Sequence, residues 1–199
     1  MRAKRNAAQR IGPPPPSQLD LALVWDHPRS STNAHTLSRP LQAHRSRRRI
    51  VRMVDFALRF FPELHETGLR IGIARGADGY ASLEEPRIWL NPRGLCYQTI
   101  SHELVHLLQA RGLVPMGERS CDLFSLARDQ VLVDAAPVYL RIPEAYLTPR
   151  GGLRPESPWA FYRTAREAIR RREEGERQYI RWFERALVER AKWIFPGSV

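Results

Sequence analysis

The twelve residues Thr99 to Ala110, TISHELVHLLQA, constrain this chain more than any other stretch. At helical spacing Ile100, Leu104, Leu107 and Leu108 form an apolar side, so the segment reads as a helix packed on a core. Its polar positions include His102, Glu103 and His106, the pattern H-E-x-x-H. Residues four apart on a helix share a face, with Cβ atoms about 5–6 Å apart. Two imidazoles so placed can both reach one zinc ion at about 2.0–2.1 Å. Glu103 follows His102 directly and flanks such a metal rather than binding it. There its carboxylate can take a proton from a zinc-bound water whose pKa the metal has lowered. At this chain's own His and Glu frequencies the pattern arises by chance about one time in a hundred, which favours chemistry over coincidence.

The surrounding sequence places that helix in a small α+β domain. RRRIVRMVDFALRFFPELHE, from Ser46 onward, puts Ile50, Val54, Ala57, Leu58 and Phe61 on one side of a helix. LRIGIAR (69–75) alternates as a short strand, and RIWLN (87–91) reads as a second; GADGYASLEEP between them reads as a turn-rich connection. Asn91-Pro92-Arg93-Gly94 ends that strand. The H-E-x-x-H helix then spans about 95–111 and stops at Gly112, and a further helix is expected over about 117–128. VLVDAAPVYLRIP, interrupted by Pro137 and Pro143, is left without an assignment.

Two histidines do not complete a zinc site, and a third protein ligand is required. GERSCD offers Glu118, with Asp122 one turn later on the same helix face. HELVH followed by a helix carrying E-x-x-x-D resembles the gluzincin superfamily of zinc metallopeptidases, the thermolysin-like group. The resemblance covers roughly residues 47–145 and rests on about seven positions. It implies a minimal zincin-like fold, a small sheet packed on the active-site helix. It also implies a hydrolase that cleaves protein or peptide substrates with one zinc ion. Within it Glu118 would be the third ligand, and Asp122 the carboxylate that orients one zinc histidine. The departure is spacing. Only eleven residues separate His106 from Glu118, fewer than in the better-known gluzincins, so the choice between Glu118 and Asp122 stays open at this stage. Cys96 and Cys121 could bind zinc as thiolates, but a small buried helical cysteine is the commoner case. Tyr80, Tyr139, Arg141 and Tyr146 are candidates by type for holding an oxyanion, and nothing in the sequence selects one. His27, His35, His44 and His65 show no grouping and are expected to be solvated.

Charge divides the chain. Residues 1–49 hold ten Lys/Arg against two Asp/Glu, residues 50–149 ten against twelve, and residues 150–199 twelve against seven. Residues 1–45 read as a basic, mostly disordered tail, in which LDLALVW (19–25) is apolar enough to dock on the domain or a partner. Residues 46–150 read as the zincin-like domain. Residues 151–199 read as a basic helical C-terminal arm, starting at Ser157 and Pro158 and broken near Gly175. No apolar run reaches the length of a membrane span, and no h-region follows the basic N-terminus. A cytoplasmic protein with reduced thiols is therefore expected. Two functions follow. One is a zinc metallopeptidase. The other is a nucleic-acid-associated module, in which the arms meet a polyanion and proteolysis is secondary or absent.

Overall fold

The structure, a computed structural model, describes residues 35–196. LDLALVW at 19–25 and His27 lie outside the described residues. A mixed four-stranded sheet has the order β1-β2-β4-β3, formed by β1 (Thr36–Leu37), β2 (Arg70–Ile73), β3 (Gly79–Ala81) and β4 (Arg87–Leu90). The first three strands in that order run parallel, while β3 pairs antiparallel with β4 as the edge. Alternation sorts the sheet's two faces. Ile71, Ala81, Ile88 and Leu90 point into the core, and Arg70, Tyr80, Arg87 and Trp89 point away from it. The helices are α1 (Arg39–Gln42), α2 (Arg47–Leu58), α3 (Tyr97–Ala110), α4 (Glu118–Leu126), α5 (Ser157–Glu173) and α6 (Tyr179–Ile194). α3 lies at the centre, touching α2, α4, β3 and β4. Among the described residues, no helix is long and apolar enough to cross a membrane.

The expected α2, α3 and α4 form, as do the strands at β2 and β4. β3 was missed. It has three residues and includes Gly79, so neither alternation nor β-propensity could reveal it, and it is held by its register against β4. The unassigned stretch after α4 is bounded by 3-10 turns, Gln130–Leu132 at its start and Glu144–Tyr146 just beyond its end. Asp134, between them, accepts hydrogen bonds from the Tyr97 and Gln98 N–H groups at 2.8 and 2.9 Å. A carboxylate at that end of a helix also meets the favourable end of its dipole. A segment with no period of its own thereby fixes the N-terminus of the site helix.

Both outer boundaries shift. The fold begins before residue 46: β1 pairs with β2, and Leu41 of α1 is fully buried. His35 is not solvated either, since its Nε2 lies 2.6 Å from Asp55 on α2. His44 and His65 contact the Ser46 N–H and the Leu58 carbonyl. At the other end α5 and α6 are not a separate arm. Phe161, Ala165, Phe183 and Leu187 belong to the same core as α3 and α4, and Tyr162 and Tyr179 are buried. Leu41→Ala should therefore destabilise the protein by about 2–5 kcal/mol, the usual cost of emptying a packed leucine site. Denaturant unfolding measures it, and a cost near zero would put α1 outside the core.

Candidate metal centre

α3 presents His102 and His106 one turn apart, with ring centroids separated by 4.9 Å. After Ala110 the chain reverses in a tight turn at Gly112. The Gly112 N–H bonds the Gln109 carbonyl, and the Leu113 N–H bonds the Leu108 carbonyl. The short loop then reaches Gly117, whose backbone (φ 109°, ψ 150°) is open to little but glycine. The Gln109 amide holds this loop, donating to the Pro115 and Gly117 carbonyls at 2.7 and 3.1 Å. Glu118, the first residue of α4, is thus brought opposite both histidines. The unusual spacing is accommodated rather than violated.

The protons in this cluster follow from its partners. With its N–H₂ committed to two carbonyls, Gln109 offers only Oε1 to His106 Nδ1, 3.0 Å away, so that nitrogen is the donor. On His102, Nδ1 donates to Asp122 Oδ1 at 2.8 Å. Each ring then turns a bare Nε2 toward one atom, Glu118 Oε2, at 3.1 Å from His102 and 3.3 Å from His106. Three acceptors pointed at one another repel unless a cation stands among them. Zinc bonds of 2.0–2.1 Å in a tetrahedron require ligand-to-ligand edges of about 3.3 Å, and the two edges from Glu118 Oε2 to the histidines measure 3.1 and 3.3 Å. Glu118 Oε2 thus lies at a distance from each imidazole that suits ligands of one shared cation. Without a metal, protons must fill that role. Burial opposes charge on His102, yet the hydrogen bonds to Asp122 and Glu118 outweigh it and raise its pKa to about 10. The same contacts with His102 and His106 hold the Glu118 carboxyl far below the usual range.

Cys121 comes closer than expected. It is buried, and its Sγ lies 3.2 Å from His106 Nδ1. Ligand atoms of His102, His106 and Cys121 all fall within 4.8 Å of one another, so this buried trio could also hold a metal ion. The two donor sets share their histidines. Cys121 addresses the nitrogen of His106 that already serves Gln109, and burial with the nearby carboxylates pushes its thiol pKa well up. The Nε2 contacts with Glu118 leave the bonds of the two rings to Asp122 and Gln109 in place. Asp122 is engaged at both oxygens, by His102 and by the Tyr139 N–H at 2.6 Å, which suits an orienting role better than ligation. Cys96 caps the N-terminus of α3 instead, accepting from the Thr99 N–H.

Glu103 is buried on α3, and its charge acts on both His102 and Cys121. β3 passes directly against it. A Cβ on Gly79 would lie 2.9 Å from Glu103 Oε1 and 3.0 Å from its Cγ, so only glycine leaves that carboxylate room. Of the four oxyanion candidates only Tyr139 meets the histidines, its ring stacked on His102 at 5.6 Å. Tyr80 stacks on Trp89, and Arg141 binds Glu184 through its backbone N–H. Tyr146 is fully buried, donates to the Leu187 carbonyl and has its phenol pKa raised by burial to about 12. Sequence reasoning missed Gln109 and Gly79. Gln109 carried a signal, a polar residue three after His106 on a helix otherwise buried at that level. Gly79 carried none until the strand pairing was known.

Comparisons with protein-family models, with curated proteins and with solved structures gave no match to this chain.

Proposed function

We propose that the chain is a cytoplasmic zinc-dependent peptidase on a minimal zincin-like domain, acting on protein or peptide substrates. The approach of Glu118 Oε2 to both His102 Nε2 and His106 Nε2 carries this reading, because one carboxylate oxygen at tetrahedral edge length from two oriented imidazole nitrogens suits a small divalent cation. Asp122 and Gln109 hold the two imidazoles in the required tautomer. A zinc ion there would supply Lewis acidity, polarising a peptide carbonyl and bringing the pKa of water to about 7.

The chain's own groups supply the rest. Glu103 accepts the proton of the attacking water at its carboxylate and returns it to the departing amine. Tyr139, whose ring stacks on His102, is our candidate for steadying the oxyanion. β3 is an edge strand beside Glu103, so an extended peptide can pair along it and lie across the site. The measurement that tests the activity is hydrolysis of an unstructured protein such as casein, before and after chelation. Activity should vanish with the chelator and return with one equivalent of zinc. Hydrolysis unaffected by complete metal removal would refute a metal-dependent reaction.

A further inference from the structure

We infer that the α1–α2 turn and the outward face of α2 form a ridge that binds the phosphate backbone of duplex nucleic acid. The inference stands apart from the zinc reading. Arg39, Arg45, Arg47, Arg48, Arg49 and Arg52 are all exposed within fourteen residues. The nearest carboxylate in sequence, Asp55, is taken by His35 at 2.6 Å. Among the described residues none of the six arginines forms an ion pair. Arg47 and Arg49 bond only to the carbonyls of Gln42 and Leu95, which leaves their charge in place.

The helix explains why the charge is presented outward. α2 buries Ile50, Val54, Ala57 and Leu58. At 100° per residue Arg48 and Arg52 fall on the opposite side, with Arg49 beside them. Backbone phosphates of a duplex supply one charge per about 1.7 Å of axis, so a row of guanidinium groups on one helix face can meet several at once. A lipid surface fits less well. None of the large apolar side chains exposed among the described residues lies on α1 or α2, and an interfacial helix needs such residues to insert.

The basic C-terminal helices differ. Arg170, Arg171, Arg190 and Lys192 are paired with Glu174, Glu167 or Glu189, and Arg163, Arg166 and Arg172 stack on aromatic rings. Arg177, Arg181 and Arg185 are exposed but interspersed with glutamates. They therefore make a control that removes the same charge from the wrong place.

The test is a titration of the full chain against a fluorescent duplex of about two helical turns, from low to physiological salt. R48A/R49A/R52A should bind the duplex at least tenfold more weakly at low salt. It should also flatten the plot of log affinity against log salt by about 2 to 3, at roughly 0.9 per lost phosphate contact. R177A/R181A/R185A should stay near the parental curve. Thermal melts establish folding, and Arg52→Glu alone should reproduce the direction of the effect if the triple variant is unstable. Equal losses in both triple variants would mean net charge alone acts. An unchanged ridge variant would place binding elsewhere, and anionic vesicles binding as tightly as the duplex would point to lipid; each result overturns the inference.

Discussion

Glu103→Gln should retain zinc and lose hydrolysis by a factor of about 10²–10⁴, the usual contribution of a positioned general base. The substitution keeps the side chain's volume, which matters because β3 leaves no slack: Gly79 Cα passes so close that a methyl group there would collide with Glu103. It removes only the ability to take a proton from the attacking water. Zinc content should be unchanged, since the converging donor atoms belong to His102, His106 and Glu118. Parental hydrolysis rates in a zinc-loaded Glu103→Gln protein would take the general base away from this residue.

Glu118→Ala should abolish tight zinc binding, while Asp122→Asn should weaken it by roughly 10- to 100-fold, the usual effect of removing an orienting partner. Glu118 Oε2 lies within 3.3 Å of both histidine Nε2 atoms. Asp122 reaches the metal position only through the His102 ring, although it also holds the Tyr139 N–H and with it the segment beside the site. Cys121→Ser should bind zinc close to the parental level. The reverse order, with zinc lost from Cys121→Ser and kept in Glu118→Ala, would move the third ligand to the sulfur. Competition with a chromophoric chelator gives all three affinities on one scale.

The pattern of residues was enough to place α2, α3 and α4 because each carries a sustained apolar stripe. It also brought His102, Glu103, His106, Glu118 and Asp122 into consideration together. It could not decide between Glu118 and Asp122, because that choice depends on a loop held by two left-handed glycines and the Gln109 amide. Such a loop has no periodicity to read. Cys121 was underrated for a related reason: its separation from His106 is set by how α4 crosses α3, a tertiary quantity. β1 and β3 are too short for alternation to register, yet one extends the fold to Thr36 and the other sets the wall of the site. Charge counts suggested two basic arms. Only packing distinguished arginines committed to glutamates and aromatic rings on α5 and α6 from those left exposed on α2.

The central claim is that two histidine nitrogens and the Glu118 carboxylate hold one zinc ion. X-ray absorption at the zinc edge, on protein loaded with one equivalent, tests it most directly. The account predicts a first shell of nitrogen and oxygen alone at about 2.0–2.1 Å, with the outer scattering of two imidazoles. A sulfur scatterer at about 2.3 Å would contradict it and put Cys121 on the metal.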